Sequence, residues 1–568
     1  MRTVKGLAAA AIFCLLVTAC GGGEKPIGNA SSSGQSSGGS NNGAGAHKKG
    51  GTVTIANVGG QTWTCQFNPF NPAVNQEALG FVYEPLVYVN ILKSGATTPM
   101  LASAFQWSSD KKSIDFTIRK GVKWGDGKPM TADDVVYTFE LMKKHPALDL
   151  YSLWKGAGLT SVTASGSKVT MKFKQAAEPY FFNFANQVAI VPKHIWSTGD
   201  AASKPETWAN PKPVGTGPFK VNTCSANNIE YVANGTYWQP GKPYLQKVEY
   251  PSYLDNNPAN LDLQSGKAQW GGQYIPNIDG FYKSKSPDNH YWFPPVENVA
   301  IFPNLDPSHK ATSKLAVRQA IAAALDRDQI AKIGEGGEQQ AANQTGVVTP
   351  TYNKFFDQAA LNSSGYAKPN PGKAKSLLQS AGYSTSKPLK LSIITVTGYT
   401  DWDASLAVVK QQLKAVGIDL TVQDLEQQSY NHKLYTGDYD LAYGGEPAAG
   451  PSPYYELRQI LYSKNSAPLG QQASGNYERY LNPAVDKLFD QYASADEATQ
   501  VQLIKQIQAA MLKDVPIIPT TESVDWYQYN TKDLAGWPTK ENPYAQPAPY
   551  NMPDVGQVLT NLYSKSAQ

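Results

Sequence analysis

A strand–helix–strand succession between residues 389 and 422 constrains the fold more than any other stretch of this sequence. Leu389 to Val396 has the composition of a buried strand, Ala404 to Val416 repeats apolar residues at helical spacing, and Ile418 to Val422 is a second strand. Gly417 is placed to end the helix. Because strands joined through a helix pair in parallel, the sequence predicts an α/β fold.

Alternation and helical spacing predict further elements along the chain. The predicted strands are 51–55, 113–119 and 168–174. The predicted helices are 317–330, one that begins at Asn370-Pro371 and ends at Gly382, one capped by Asn482-Pro483, and one through 501–511. A chain of 568 residues is too long for one core, so we expect two or three domains.

The charge pattern excludes nucleic acid as a partner. The formal net charge is +4, and removal of Arg2 and Lys5 with a leader would lower it to +2. Lys and Arg are scattered, and no basic stripe forms.

The N-terminus resembles a bacterial lipoprotein leader. Residues 1–19 have a positive start and a short apolar run, which predicts a signal peptide. Val17-Thr18-Ala19-Cys20 resembles a lipobox, and this predicts lipidation at Cys20. Residues 20–49 are rich in Gly, Ser and Asn and predict a flexible tether. The alternative is an ordinary signal peptide that ends at an incidental Cys.

Two cysteines, Cys65 and Cys224, remain after the leader and Cys20 are set aside. An exported protein occupies an oxidising space, where a disulfide between them is expected. The alternative is a pair of buried thiols.

The stretch Gly121 to Glu140, GVKWGDGKPMTADDVVYTFE, reads as a turn followed by a helix capped at Thr131. Asp133 and Asp134 fall in the first turn, where acidic residues suit the helix dipole. The whole string closely resembles the signature of family 5 extracellular solute-binding proteins. The same resemblance extends, in order, to Tyr83–Val87, Pro99–Ala102, Val214–Val221 and Val317–Ile330.

The resemblance implies an α/β, bilobed, periplasmic-binding-protein-like fold of type II in its three-domain variant, with a hinge between the lobes. Domain I would comprise residues 50–98, 206–295 and 526–568. Domain II would be an insertion at 99–205, and domain III would span 296–525. The ligand would lie between lobes that close on the hinge.

The resemblance also implies a function. Such proteins capture oligopeptides, nickel complexes or oligosaccharides for ABC importers, so the expected partners are a permease with its ATPase subunits and a small oligomeric solute. We expect a monomer on the extracytoplasmic face of the membrane, attached only through its lipid, with a Gram-positive surface favoured. No catalytic, metal or cofactor motif is found, since no two of the six His stand at ligand spacing and no CxxC occurs. The alternative of another class is a secreted lipoprotein hydrolase.

For a peptide ligand, the resemblance directs attention to the segment after Tyr439-Asp440-Leu441-Ala442. Peptide binders of the family tend to place an acidic residue there for the ammonium of the peptide. Glu446 is the candidate here, followed by Tyr454 and Tyr455, although the local sequence departs from the family pattern. The alternative for Glu446 is a solvated loop residue.

For a sugar ligand, aromatic residues in predicted loops are the candidates, because Trp and Tyr rings stack on the C–H faces of sugars. They are Trp63, Trp402, Trp526 and Tyr527. The neighbouring stretches 67–70 and 536–545 resemble those of family members that bind β-linked gluco-oligosaccharides, such as cello-oligosaccharides. The alternative for each ring is ordinary core packing. Peptide and oligosaccharide therefore both stay open as ligands.

Overall fold

The computed structural model describes residues 47, 49–71, 80–93, 95–446 and 450–567. The predicted signal peptide, Cys20 and nearly all of the tether lie outside these residues. The strands in chain order are β1 (Thr52–Ala56), β2 (Val87–Asn90), β3 (Ala96–Pro99), β4 (Ala102–Trp107), β5 (Ser113–Ile118), β6 (Leu159–Ser165), β7 (Lys168–Phe173), β8 (Phe219–Cys224), β9 (Asn228–Ala233), β10 (Lys247–Pro251), β11 (Trp270–Gly271), β12 (Asn289–Tyr291), β13 (Pro295–Pro303), β14 (Gln340–Ala341), β15 (Leu389–Val396), β16 (Ile418–Leu425), β17 (Leu441–Gly445), β18 (Ile518–Val524), β19 (Gln528–Asn530), β20 (Leu534–Ala535) and β21 (Tyr563–Ser564).

The helices alternate with these strands, mainly in the second half of the chain. In chain order they are α1 (Ala132–Lys144), α2 (Lys193–Trp196), α3 (Gly199–Ser203), α4 (Asn256–Gln264), α5 (Ile278–Phe281), α6 (Leu315–Ala324), α7 (Arg327–Gly334), α8 (Gln358–Ser364), α9 (Pro371–Ser380), α10 (Thr400–Val416), α11 (Gln427–Thr436), α12 (Pro453–Leu461), α13 (Pro483–Tyr492), α14 (Glu497–Asp514) and α15 (Asp554–Asn561).

A six-stranded sheet of order β14-β18-β13-β17-β15-β16 contains the predicted strand–helix–strand unit. β15 pairs in parallel with β16 from Leu389 opposite Ile418 onward, which confirms that prediction. Residues of β15 alternate between two hydrophobic cores: Ile393 belongs to one, and Ile394 belongs to the other. Both faces of this sheet are therefore covered, as the apolar run in β15 requires.

Two other sheets share one large hydrophobic core, which is separate from the two cores of the six-stranded sheet. A seven-stranded sheet has the order β12-β19-β11-β1-β10-β9-β8, and an antiparallel four-stranded sheet has the order β4-β5-β7-β6. The seven-stranded sheet takes its strands from residues 52–56, 219–291 and 528–530, the four-stranded sheet from 102–173, and the six-stranded sheet from 295–524.

The chain passes twice between the seven-stranded and six-stranded sheets, through 292–294 and 525–527. The two crossings lie side by side, because the backbone N–H of Asp525 donates to Pro294 (2.9 Å) and that of Trp292 donates to Tyr527 (3.1 Å). The first link joins β12 to β13, and the second joins β18 to β19. Within the described chain, no other stretch connects the two sheets directly.

Helix α1 is built as its sequence predicts. Thr131 is the N-cap in a capping box with Asp134, whose carboxylate accepts from the Thr131 backbone N–H at 2.8 Å. Val135, Phe139 and Met142 are fully buried on one side.

Two helix predictions are wrong in their boundaries. The predicted helix 317–330 is two helices, because Leu325 is extended and the Asp326 side chain caps α7 by accepting from the Gln329 N–H at 3.0 Å. Helix α10 begins at Thr400, four residues before the predicted start. Trp402 therefore lies in the first turn of a helix and not in a loop.

Candidate functional site

Two adjoining cavities meet beside the double crossing between the sheets. Cavity A has a volume of about 490 Å³, and cavity B has a volume of about 590 Å³. Glu297, Val524, Tyr550 and Met552 line both, so the two cavities adjoin, and together they are called the cleft. Its lining residues come from the parts of the chain that form all three larger sheets.

Cavity A is lined by tyrosine rings and by side-chain amides. Its aromatic residues are Tyr83, Tyr151, Tyr180, Phe182, Tyr454, Tyr455 and Tyr550, and its amides are Asn183, Asn186, Gln187, Gln459, Asn465, Gln546 and Asn551. Tyr455 is fixed edge-on against Phe182, with ring centroids 5.4 Å apart. Tyr454 stacks on Tyr492 at 4.2 Å. The combination offers flat apolar surfaces together with hydrogen-bond donors and acceptors.

Cavity B carries the tryptophans of the cleft. Trp402 is half-buried and packs edge-on against Tyr399 (4.9 Å) and Tyr443 (5.8 Å). Trp526 packs between Tyr274 and Phe293, with centroids at 5.4 and 4.9 Å. These contacts hold the rings rigidly, which is what a stacking surface for a ligand requires.

Carboxyl groups of raised pKa lie at the junction of the cavities. Asp525 accepts from Asn551 (2.7 Å) and Gln546 (3.2 Å), and its burial raises its pKa to about 7. Burial, together with Glu456 and Asp525, raises the pKa of Glu297 well above its ordinary value. In cavity B, burial raises the pKa of Asp401 to about 6. Burial therefore favours the protonated form of each carboxyl group, and a protonated carboxyl group can donate as well as accept hydrogen bonds.

Four of the predicted binding residues line the cleft. Tyr454 and Tyr455 line cavity A, and Trp402 and Trp526 line cavity B. The structure brings these pairs to one cleft although they lie far apart in the sequence. Their contact with a ligand stays a prediction.

Three predicted binding residues line neither cavity, namely Trp63, Tyr527 and Glu446. Trp63 is buried and donates through Nε1 to the backbone oxygen of Tyr250 at 2.7 Å, while Tyr527 is fully buried and donates to Pro538 at 3.1 Å. Both rings pack in the shared core of the seven-stranded sheet. The expectation that they form open platforms is corrected, because their polar atoms are already bonded inside the protein.

Glu446 is neither a solvated loop residue nor a lining residue of either cavity. It is 1% exposed, and it lies beside Asn298 and Glu456 behind the cleft. Burial, followed by repulsion from Glu456, raises its pKa well above the ordinary value. Glu297 occupies the cleft-facing position in its place, since it lines both cavities.

Sequence reasoning missed Glu297, Arg458 and the amides of cavity A. Glu297 stands in β13 and Arg458 in α12, and neither belongs to a recognisable motif. The amides around Asn186 follow Phe182 in a short irregular helical turn. A charged residue inside an otherwise uncharged strand was the one available signal, and it applies to Glu297.

Cys65 and Cys224 are joined in a disulfide that links the loop after β1 to the end of β8. Among the described residues, no group of three His, Cys, Asp or Glu side chains is arranged to hold a metal ion. No helix within this part of the chain has the length and hydropathy of a membrane span.

The model of the bacterial extracellular solute-binding proteins, family 5 (middle), matches residues 96–468. This match covers more than half of the chain and decides its membership. The chain belongs to the family 5 extracellular solute-binding proteins. Members of this family are binding proteins, and the mixed α/β fold with its several sheets agrees with that membership.

Curated relatives in the family match along nearly the whole chain. The oligopeptide-binding protein AppA of Bacillus subtilis is 25% identical, over 92% of this chain and 95% of its own length. The periplasmic murein peptide-binding protein MppA of Escherichia coli is 26% identical, over 85% of this chain and 87% of its own.

Solved structures match equally broadly. A mannohexaose-bound periplasmic oligopeptide-binding protein of an ABC transporter from Thermotoga maritima superposes with a TM-score of 0.82 and 26% identity, covering 90% of this chain and 98% of its own. AppA from Bacillus subtilis in complex with a nonapeptide gives a TM-score of 0.74 at 22% identity, over 91% and 99%. The second likeness supports the fold alone.

Proposed function

We propose that this protein is the substrate-binding subunit of an ABC importer, which captures an extended solute outside the membrane and delivers it to a permease. The observation that carries the proposal is the cleft of two adjoining cavities beside the double crossing, lined by aromatic rings and amides. A cleft of two adjoining cavities suits an oligomer of several units better than one small molecule.

The two side-by-side crossings, 292–294 and 525–527, are the proposed hinge. Because these are the only links of the described chain that join the six-stranded sheet to the seven-stranded sheet, a change in a few backbone dihedrals there would close the cleft. Domain I would then comprise 50–98, 206–295 and 526–568, with domain II at 99–205 and domain III at 296–525. Ligand would be enclosed between domain III and the other two.

The first candidate ligand is an oligopeptide. Support comes from AppA and MppA, whose names describe peptide binding and which match along most of their length. The amides of cavity A and the carboxyl groups of Glu297 and Asp525 offer partners for a peptide backbone and for an ammonium group.

The second candidate is an oligosaccharide of the cello-oligosaccharide type. The rigid rings of Trp402 and Trp526 in cavity B favour it, because sugars stack their C–H faces on such rings. The Thermotoga maritima protein with bound mannohexaose, at 26% identity, is a relative of known structure that holds a sugar.

The protein is proposed to act at the cell surface without catalysing a reaction. Lipidation at Cys20 would anchor the chain to the outer face of the membrane, as a monomer on a Gram-positive surface, through a tether at 20–49. The permease and its ATPase subunits would be its partners. A hydrolase would turn its ligand over, whereas a capture protein only binds and releases it.

A binding screen with product analysis tests the proposal. The protein is titrated calorimetrically with di- to hexapeptides and with α- and β-linked oligosaccharides, and each mixture is then analysed for cleavage. We expect binding near micromolar affinity to one ligand class and unchanged ligand after incubation. Release of shorter products would contradict the proposal and support the hydrolase.

A further inference from the structure

Arg458 differs from every other arginine in the described residues. Arg119, Arg318, Arg327 and Arg479 each donate two or more hydrogen bonds, mostly to backbone oxygens. Among the described residues, the guanidinium of Arg458 has contacts with aromatic rings but neither a hydrogen bond nor an ion pair. A guanidinium has five N–H donors, so a partly buried one without acceptors is costly.

Two tyrosine rings hold this guanidinium in the wall of cavity A. Arg458 lies on α12 and lines the cavity, with its Cζ 4.6 Å from the ring centre of Tyr462 and 5.1 Å from that of Tyr180. Ring faces attract the cation but do not accept its N–H bonds in plane. The acceptors for its N–H groups must therefore come from another molecule or from water.

A second unpaired donor lines the same cavity. Asn186 is 1% exposed, and its Oδ1 accepts from the Val89 N–H at 2.8 Å. Its Nδ2 has no partner among the described residues. Asn186 therefore leaves a buried donor unpaired behind the cavity wall, and Arg458 leaves its donors unpaired in that wall, so an occupant with acceptor oxygens fits this cavity.

The other charges of cavity A do not oppose an anionic occupant strongly. Its carboxyl groups are Glu84, Glu297 and Asp525. Burial raises the pKa of Glu84 and of Asp525 to about 7, and it raises the pKa of Glu297 well above its ordinary value. Asp490 is the acidic residue whose charge acts on Arg458, and its carboxylate accepts a hydrogen bond from the Tyr462 hydroxyl at 2.7 Å.

We propose that Arg458 binds a carboxylate of the ligand, so that cavity A selects solutes with an acidic end. The inference rests on the proposed capture function and specifies its substrate class. The planar guanidinium fork matches a carboxylate in a two-bond arrangement. This carboxylate comes either from the C-terminus of a peptide or from a uronate unit of an acidic oligosaccharide.

Calorimetry with four probes distinguishes these sources. The probes are tetra-alanine, its C-terminal amide, a tetrameric uronate and its methyl ester. The proteins are the wild-type full chain, Arg458→Gln, Arg458→Lys and the control Lys464→Gln. Lys464 also lies over the Tyr462 ring, at 5.1 Å, but it lines neither cavity, so its substitution removes the same charge outside the site.

We expect the wild-type protein to bind one acid about 10- to 100-fold more tightly than its amide or ester, as a charge-assisted pair requires. That preference should vanish in Arg458→Gln, weaken in Arg458→Lys and persist in Lys464→Gln. Equal wild-type binding of an acid and its neutral form overturns the Arg458 subsite but leaves solute capture standing. This comparison needs no variant, so misfolding cannot obscure it. Failure of all four probes to bind, while a neutral peptide derivative or a neutral oligosaccharide from the wider panel binds, also overturns the Arg458 subsite and leaves solute capture standing.

Discussion

At the scale of the residue, the surroundings of an aromatic ring decide whether it is available to a ligand. Trp63 donates its N–H inside the core, whereas the half-buried Trp402 faces cavity B. The sequence presents both as tryptophans in polar neighbourhoods. Their difference depends on Tyr250 and on Tyr399 with Tyr443, and these partners are not recognisable from local sequence.

The first prediction concerns the ring of Trp402. Replacing it with leucine removes the stacking surface of cavity B, and we expect affinity for an oligosaccharide ligand to fall about 10-fold or more. Calorimetric titration measures the change. Trp154→Leu is the matched control, since that ring is half-buried and lines neither cavity. Equal losses in the two variants would exclude a specific role for Trp402.

The second prediction concerns Glu478, which is fully buried and whose two carboxyl oxygens have no partner in the described chain. Burial raises its pKa to about 8, while the charge of Arg479 acts to lower that pKa. The side chains of Tyr439 and Tyr477 face the same carboxyl group. The folded protein then binds a proton that the unfolded chain releases, so this contribution to stability falls as pH rises from about 4.5 to 8. We expect Glu478→Gln to remove that fall, which amounts to roughly 2–5 kcal/mol.

Urea denaturation of both proteins at pH 5 and pH 8 measures the difference. Glu541→Gln, at an exposed position, serves as the control and should behave as the wild type. A fall of the same size in Glu478→Gln as in the wild type would show that Glu478 keeps its proton affinity on unfolding.

At the scale of the element, caps and glycines explain where the sequence predicted correctly and where it did not. Thr131 and its capping box mark the start of α1 in the sequence and in the structure. The continuous apolar spacing of 317–330 concealed the break before α7, although Asp326 is itself a suitable N-cap residue. The spacing of apolar residues continues through the break because α6 and α7 both bury apolar side chains.

The third prediction tests that break. Asp326→Ala removes the acceptor for the Gln329 N–H, and we expect the free energy of unfolding to fall by about 1 kcal/mol. Asp328→Ala is the control, because Asp328 is exposed in the first turn of α7 but is not its cap. Chemical denaturation measures both. A smaller effect for Asp326 than for Asp328 would contradict the capping role.

The fourth prediction concerns the glycine turn in the stretch 214–221, which leads into β8. The Gly217 N–H donates to the Val82 oxygen at 2.8 Å, and a Cβ on Gly217 would lie 2.4 Å from the Phe81 oxygen. Gly217→Ala must displace that backbone, so we expect a loss of more than about 2 kcal/mol. Gly235→Ala, where nothing lies within 4 Å, is the control. Melting temperatures of the two variants test this, and equal values would disprove the close approach.

At the scale of the whole molecule, the sheets could be anticipated from the sequence more fully than the cleft. The parallel unit β15–α10–β16 follows from local periodicity, and its pairing is confirmed. The cleft instead requires Glu297, Arg458, Asp525 and Asn186 to meet from β13, α12, the second crossing and an irregular helical turn. Their meeting is set by long-range packing, so no spacing in the sequence could indicate it.

The measurement that tests the central claim most directly is thermal unfolding of the protein with peptide and oligosaccharide panels, followed by analysis of the recovered ligands. A ligand at about 100 times its Kd should stabilise the folded protein by about 2.7 kcal/mol and raise its melting temperature. The capture function predicts such a shift for one class of ligand, which is recovered intact. An unchanged melting temperature with every ligand, or the recovery of cleaved products, would contradict it.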